Sequence, residues 1–245
     1  WLSKRDYKSI LACRMHRFEL DRHYDEIEWN NIDSVLFISD AMERKFHEKG
    51  KYKGKTFVTY DNLNFENFPL VQKEKTMQIG MLGNIEPRKG VLEFVEYFGK
   101  MKIPKIKLSI AGNAKDEVYY RKIKRHIIEN KLENKITIEG YVKDLNNWYK
   151  SNDCIISNST HEGTQTSIVE GVSTGCWAIS KNWDGADEIV DEKGLFTNIN
   201  ELEKCINLFY KWNDENRKKY INNARERLIS KLTSRPRMHE LILKL

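Results

Sequence analysis

This sequence of 245 residues lacks long apolar runs, cysteines at metal-binding or disulfide-typical spacings, and frequent prolines. No stretch approaches the roughly 18 consecutive apolar residues that a membrane-spanning helix requires, and the mean hydropathy is −0.67. The start shows no basic segment followed by an apolar one, so no secretory leader is predicted. Four prolines and 13 glycines exclude a collagenous or linker-like chain. The remaining composition, 40% hydrophobic and 11% aromatic, predicts a globular chain of one large domain or two small ones.

The four cysteines form neither a zinc-binding pattern nor a disulfide framework. They show no CxxC spacing and no histidines at zinc intervals. Cys13, Cys154 and Cys176 lie in apolar stretches, where a cysteine is typically a small buried hydrophobe. We therefore expect a reducing, cytoplasmic compartment and no metal site.

The charge of the chain is +6, and most of it lies near the C-terminus. Residues 201–245 contain 11 basic and 6 acidic residues, a net charge of +5. A solvated helix face is one interpretation of this excess. The alternative is a surface that contacts an anionic membrane or an anionic substrate. Nucleic acid is not expected, because basic and aromatic residues do not alternate in a recognisable binding motif.

Short apolar runs alternate with charged stretches of helical spacing, which predicts parallel sheets covered by helices, an α/β fold. In the first part, strands are predicted over residues 9–15, 34–39 and 55–60, the first two buried, with a helix over 41–49. Residues 61–75 lose the periodicity and contain Pro69, as expected for a connection between two domains. A second, complete series follows, with strands over 77–82, 106–111, 135–139, 153–157 and 176–180 and helices over 91–101, 116–131, 145–150 and 167–173. From residue 199 the chain is predicted to be helical up to a break at Pro236.

Ligands of such folds bind where parallel strands end, which points to three places: His16 with Arg17, residues 83–90 and residues 157–170. The second of these reads GNIEPRKG between a strand and a helix, and it carries Arg88 and Lys89. Glycine lets the backbone approach a ligand, and a helix N-terminus favours an anion. The segment lacks the glycine and hydroxyl residue that flank the lysine of a P-loop. An ordinary strand-to-helix turn with solvated charges is the alternative.

The third place reads STHEGTQTSIVEG, again between a strand and a helix. Backbone amides at about Thr164 to Ser167 would face an anion at the helix start. Glu162 lies in the turn, and Glu170 lies one helical turn inside, where its carboxylate could accept two hydrogen bonds from a vicinal diol such as a ribose. Such a glutamate pair also occurs by chance. For His16, which ends an apolar strand, a structural role is the alternative to a functional one.

The order of GNIEPRKG, IKLSIAGN and the run from ITIEG to CWAIS resembles the C-terminal domain of retaining GT-B glycosyltransferases, the glycosyl transferases group 1 family (family 4). The match covers residues 77–188, and its Glu-x7-Glu signature is specific. The segments CRMHRFEL and VTYDNLNFENF resemble the end of the family's N-terminal domain and its hinge. The resemblance implies a Rossmann-like GT-B fold with a partial N-terminal domain and hinge over 1–68, a complete donor-binding domain over 69–233 and a C-terminal helix over 234–245.

The resemblance also implies roles for individual residues. Lys89 would hold the diphosphate of the sugar nucleotide, Glu162 would contact the transferred sugar, and Glu170 would bind the ribose. His16 is similar to the N-domain histidine that faces the sugar across the cleft. The remaining donor-binding positions are Gly83, Asn84 and Arg88 in the first loop, Tyr141, Val142 and Lys143 around the base, and the amides of Gly163, Thr164, Gln165, Thr166 and Ser167 at the distal phosphate.

Two departures from the family pattern stand out. Asn84 follows Gly83 where the family usually has arginine, and Thr164, Gln165 and Thr166 replace a Phe-Gly-Leu type of sequence. The first removes one of two diphosphate cations, for which Arg88 is the nearest substitute. The second leaves the amides available.

The function implied is a retaining, metal-independent glycosyltransferase without a cofactor. It would move a sugar from a nucleotide-diphosphate sugar to a glycan or lipid-linked acceptor in polysaccharide synthesis, in the cytoplasm and with peripheral contact to an anionic membrane at its inner face. One alternative is a non-catalytic nucleotide-sugar binding module, favoured by Asn84 and by the short part that precedes the hinge, which suggests a fragment. A GT-B epimerase is the other, although its additional acid and base residues are not identified.

Overall fold

The computed structural model describes residues 10–60, 67–236 and 240–241. They form two compact units. The first consists of the chain up to Asn62, the short stretch Glu162–Thr164 and the residues from Ile229 onward. The second consists of Leu63–His161 and Gln165–Leu228. The domain boundaries after residues 68 and 233, which the family resemblance implies, stay a prediction.

The first unit contains a parallel sheet of three strands in the order β1-β2-β3. The strands are β1 (Ala12–Met15), β2 (Ser34–Phe37) and β3 (Lys55–Val58), and the helices are α1 (Arg17–Arg22) and α2 (Asp40–Glu48). The Ser39 hydroxyl accepts a hydrogen bond from the Met42 amide and so caps the N-terminus of α2. The three predicted strands are confirmed, although each is shorter than predicted, and residue 9 lies outside the described residues.

Burial in this sheet differs from the prediction at β1. All four residues of β2 are buried, whereas only Met15 is buried in β1 and Cys13 is half-buried. The prediction of a buried first strand with a buried cysteine is therefore wrong. The physical reason is position, because β2 pairs with strands on both sides and β1, among the described residues, pairs only with β2.

Aromatic side chains build the core of the first unit. The ring of Phe46, on α2, lies 4.8 Å from that of Phe37 and 5.0 Å from that of Trp29. Tyr24 and Tyr52 extend the cluster from the segments on either side of the β2–α2 pair. Aromatic contacts in tilted and edge-to-face arrangements stabilise a small core beyond the area that they bury.

The second unit contains six parallel strands in the order β6-β5-β4-β7-β8-β9. The strands are β4 (Gln78–Leu82), β5 (Lys107–Ala111), β6 (Ile136–Gly140), β7 (Cys154–Ser157), β8 (Trp177–Lys181) and β9 (Leu195–Phe196). Counted within this unit the order is 3-2-1-4-5-6, the doubly wound Rossmann-like arrangement, and it confirms the predicted α/β fold class. The two-residue strand β9 is not predicted by the sequence.

Six helices accompany this sheet. They are α3 (Val91–Lys100), α4 (Glu117–Glu129), α5 (Leu145–Lys150), α6 (Thr166–Ser173), α7 (Ile199–Lys211) and α8 (Asp214–Thr233). The predicted helices are confirmed within two residues at either end, but the C-terminal helical segment is broken earlier than predicted. Trp212 adopts an extended conformation that separates α7 from α8, and α8 ends before Pro236. Most of the helix predicted over 234–245 lies outside the described residues.

The core of the second unit lies between the sheet and these helices, with Ile79, Phe94, Ile123 and Ile206 almost completely buried. Cys154, Cys176 and Cys205 are also buried, and all four cysteines are free. Within the described ranges, none of the helices is both long and apolar enough to cross a membrane. The strand order reverses between β4 and β7, so the carboxyl ends of these two neighbouring strands form the switch point at which doubly wound folds bind ligands.

Candidate functional site

Two glycines shape the loop that follows β4. A Cβ atom on Gly112 would lie 1.8 Å from the carbonyl oxygen of Gly83, so the end of β5 approaches the loop too closely for any side chain. Gly90 has a left-handed φ of 61°, and a Cβ atom there would lie 2.5 Å from the carbonyl oxygen of Asn158. The Asn158 side chain in turn donates to the Gly90 carbonyl at 2.8 Å. The loop is thus held against the ends of both β5 and β7.

Lys89 belongs to a 3-10 turn, Pro87–Lys89, immediately before α3. Its side chain lies beside Gly83, with Nζ 3.9 Å from the position of a Cβ atom on that glycine. Gly83, Asn84 and Lys89 line a small cavity together with Ser157, the last residue of β7, and with Ser159 and Gln165, which follow it. The structure therefore brings together the loop residues predicted to bind a diphosphate and the start of the α6 segment.

Arg88 has different contacts from its neighbour. Its guanidinium group forms an ion pair with Glu86 at 2.9 Å and donates to the carbonyl oxygen of His161 at 3.1 Å. The Arg88 carbonyl accepts a hydrogen bond from the Thr160 amide. Arg88 is not among the residues that line the cavity with Lys89. Its side chain ties the loop to the segment after β7, and its proposed substitution for the missing family arginine stays a prediction.

The N-terminus of α6 faces the same strand ends. Gln165 is the N-cap residue, and its side chain makes no capping hydrogen bond. The first amides of a helix have no acceptor within the helix, and here Thr166 and Ser167 find none elsewhere in the described part of the chain. Together with the helix dipole, they provide a favourable position for an anion. The preceding residues of the predicted amide set, Gly163 and Thr164, belong to the first unit.

The stretch Glu162–Thr164 is fixed by contacts within the first unit. Thr164 Oγ1 donates to the carbonyl oxygen of Ile38 at 2.7 Å, and the Arg17 guanidinium donates to the carbonyl oxygen of Glu162 at 3.3 Å. A Cβ atom on Gly163 would lie 2.4 Å from the Ile38 side chain, which explains the glycine. Glu162 is 9% exposed.

His16 follows β1 directly, as predicted, and it is exposed. It is the N-cap residue of α1, and its amide donates to the Glu19 carboxylate at 3.1 Å. This contact uses the backbone and leaves the imidazole role predicted for His16 untested. The helix α1 itself is not predicted by the sequence, since its apolar residues, Phe18 and Leu20, are not at helical spacing.

Glu170 is held by a residue that the sequence does not point to. Tyr149, on α5, is completely buried, and its hydroxyl donates to Glu170 Oε2 at 2.8 Å. Burial raises the pKa of Glu170, and the hydrogen bond from Tyr149 lowers it in part. Burial and the neighbouring carboxylate raise the pKa of Tyr149, so the phenol stays protonated and remains a donor. Tyr149 therefore positions the Glu170 carboxylate through Oε2, and the other carboxylate oxygen, Oε1, makes no bond to the phenol.

Tyr141, Val142 and Lys143 follow β6 at the same edge of the sheet. Tyr141 is an aromatic residue with 69% of its surface exposed, Val142 is half-buried and Lys143 is exposed. An exposed tyrosine at the end of a strand is suited to stacking on a planar ligand group. The position agrees with the predicted role in lining a nucleotide base, which stays a prediction.

Ser157 and Ser159 are site residues that the sequence analysis does not single out as ligand contacts. Both are buried, and the Ser159 hydroxyl has no hydrogen-bond partner in the described structure. The only available signal is a run of small polar residues, Ser-Asn-Ser, at the end of a buried strand. Across the described residues, no group of three or more His, Cys, Asp or Glu side chains is placed to hold a metal ion.

A sequence model of the family described as Glycosyl transferases group 1 matches residues 64–227. Among curated proteins, the poly(glycerol-phosphate) alpha-glucosyltransferase of Bacillus subtilis is 26% identical over 187 residues. These cover 72% of this chain and 27% of that protein. The chain thus spans about a quarter of the length of this curated relative.

Solved structures share the fold. Anabaena HepE in complex with UDP and glucose superimposes with a TM-score of 0.75 at 18% identity, covering 97% of this chain and 72% of that one. A variant of S. aureus TarM, solved with Fondaparinux, alpha-GlcNAc-glycerol and UDP, gives a TM-score of 0.79 at 18% identity, covering 94% of this chain and 49% of that one.

Proposed function

Because the chain belongs to the glycosyl transferases group 1 family, we propose that it transfers a sugar from a nucleotide-diphosphate sugar to an acceptor hydroxyl, with retention of configuration. The observation that carries this proposal is the cavity at the switch point between β4 and β7. It joins Lys89 and the Gly83 loop with Gln165, at the start of α6. A cation and two uncommitted helix amides at one sheet edge form an environment for a diphosphate.

The departing diphosphate gains negative charge during transfer. Preorganised hydrogen-bond donors and cations directed at that charge are usually the largest contribution to catalysis of this type. In this proposal Lys89 and the amides of Thr166 and Ser167 supply them. Asn84, which replaces a family arginine, offers a neutral amide donor in place of a cation.

The remaining roles follow the family resemblance. Glu170, oriented by Tyr149, binds the ribose, and Tyr141 stacks on the base. Glu162 and His16 contact the transferred sugar. The proposal includes no metal ion and no cofactor, so chelation with EDTA should leave the activity unchanged.

The names of the similar proteins support a choice of first substrates. The B. subtilis relative is named as a glucosyltransferase for poly(glycerol-phosphate), and both solved structures contain UDP. We therefore propose UDP-glucose as the first sugar nucleotide to test, and a polyol-phosphate polymer or lipid-linked glycan as the acceptor class. Such a polymer is anionic, which suits the basic chain and the proposed contact with an anionic membrane surface.

The first test is calorimetric binding of UDP, GDP and ADP, followed by transfer from radiolabelled UDP-glucose to poly(glycerol phosphate). We expect one diphosphate to bind and the label to enter the polymer as the alpha anomer. Lys89→Ala should weaken binding, whereas Lys115→Ala, at an exposed lysine, should not. Binding of none of the three would contradict the proposal. Binding without transfer to any acceptor would support the non-catalytic binding module.

A further inference from the structure

The side chain of Gln165 is an uncommon feature of the cavity at the β4–β7 switch point. This long amide side chain is only 5% exposed. Its Nε2 group donates to the Ser157 hydroxyl. This hydrogen bond fixes the Nε2 end of the amide, and it thereby also fixes the position of the other end, the oxygen Oε1.

That other end has no hydrogen-bond partner. Gln165 Oε1 is buried and accepts no hydrogen bond in the described structure, and the same holds for the hydroxyl of Ser159, which is 1% exposed. Both residues line the cavity that also contains Lys89 and Asn84. A buried polar group without a partner costs about 1–3 kcal/mol, so two of them beside one cavity indicate that something polar occupies it.

The chemistry of the two atoms restricts that occupant. With Nε2 directed at Ser157, the atom that Gln165 presents to the cavity is Oε1, which is only an acceptor, so its partner must carry a hydrogen. An ionised phosphate oxygen carries none and therefore cannot be the partner of this atom. Ser159 Oγ can donate or accept, so a single hydroxyl group can satisfy both by donating to Gln165 and accepting from Ser159. The empty space beside these two atoms has room for about one water-sized group, which fits a hydroxyl, whereas the diphosphate would lie outside it, beside Lys89 and the α6 amides.

We infer that Gln165 and Ser159 together bind one hydroxyl of the transferred sugar and so contribute to the choice of sugar. This inference rests on the proposed function, because it requires a sugar nucleotide beside Lys89. It goes further in assigning part of the sugar recognition to the side chains of Gln165 and Ser159.

The test compares two ligands that differ only in the sugar. Calorimetric dissociation constants for UDP-glucose and UDP are measured with the wild-type chain, Gln165→Leu and Ser159→Ala. Ser173→Ala is the matched control, because Ser173 is equally buried on α6 but donates to a helix carbonyl. Thermal unfolding of each variant checks folding, and Ser159→Ala, the smaller change, serves if Gln165→Leu does not fold.

We expect Gln165→Leu and Ser159→Ala to weaken UDP-glucose binding roughly tenfold and to change UDP binding by less than about twofold. A UDP-deoxyglucose that lacks the bound hydroxyl should bind wild type and variants equally. Equal losses for UDP and UDP-glucose, or no loss for either, would overturn the inference and leave the proposed function intact, since the cavity would then hold only structural water. If the wild-type chain bound neither these ligands nor the GDP and ADP equivalents, the proposed function itself would fail.

Discussion

Replacement of Glu170 with glutamine is expected to weaken nucleotide binding and to stabilise the fold at neutral pH. The first effect follows from the proposed ribose contact. One carboxylate oxygen accepts the Tyr149 hydroxyl at 2.8 Å, so the other is available for a ribose hydroxyl. A hydrogen bond to a charged group contributes about 1.5–3 kcal/mol. A neutral amide retains part of this, so we expect a loss near the lower value, about tenfold in the dissociation constant.

The second effect follows from the pKa of Glu170, which burial raises above its ordinary value. The folded chain then holds the proton more tightly than the unfolded chain, so the carboxylate destabilises the fold once it is ionised. This penalty is present at neutral pH and disappears as the pH falls through the raised pKa. The matched control for Glu170→Gln is Glu129→Gln, the same chemical change at an exposed position on α4.

The assays are calorimetry with UDP and thermal unfolding at about pH 7.5 and about pH 4. We expect the unfolding temperature of Glu170→Gln to exceed that of the wild type at the higher pH and to match it at the lower one. Glu129→Gln should leave UDP binding at its wild-type value. Wild-type affinity for UDP in Glu170→Gln would refute the ribose contact. A lower unfolding temperature at neutral pH would refute the argument from burial.

Three further predictions concern neighbouring residues. Tyr149→Phe removes the hydrogen bond that lowers the Glu170 pKa, so the pH at which UDP binding falls to half should move upward; an unchanged midpoint contradicts this. Lys89→Ala should weaken binding of UDP far more than binding of uridine in calorimetry, and equal losses would exclude a diphosphate contact. Gly90→Ala should lower the free energy of unfolding, measured by chemical denaturation, by about 1–3 kcal/mol and by more than Gly50→Ala does. Both glycines have a positive φ, but only a side chain at Gly90 would overlap a carbonyl oxygen. Equal losses of stability in the two variants would exclude this overlap.

The periodicity of the sequence predicts eight of the nine strands in the described chain, because each strand of a parallel sheet is a short apolar run. β9 is missed because two residues show no period, and α1 is missed because its apolar residues, Phe18 and Leu20, are two positions apart instead of at helical spacing. The burial of β1 is wrongly predicted for another reason. A sequence pattern indicates that a segment is extended, but its place in the sheet order decides how much of it is covered.

The candidate site likewise contains contacts that a local sequence motif predicts and contacts that it does not. Gly83 and Lys89 are close in the chain, so a local motif is enough to associate them. Tyr149 and Glu170 are 21 positions apart and meet only because α5 and α6 flank the same strand, β7. Arg88 shows the reverse case, since it is adjacent to Lys89 in sequence but bonds to Glu86 and His161. Contacts that depend on the packing of distant segments are not visible in a single sequence.

The four free thiols are buried to different degrees, so their rates of alkylation report on the opening of each unit separately. Cys13 is half-buried in the first unit, whereas Cys154 and Cys176 are completely enclosed in the second. Burial also raises the pKa of both enclosed thiols, which slows their alkylation further. Pulsed alkylation with mass spectrometry would therefore record the opening of the two units separately, in one sample and without an introduced label. The native cysteines are sufficient to measure whether a sugar nucleotide protects the second unit alone.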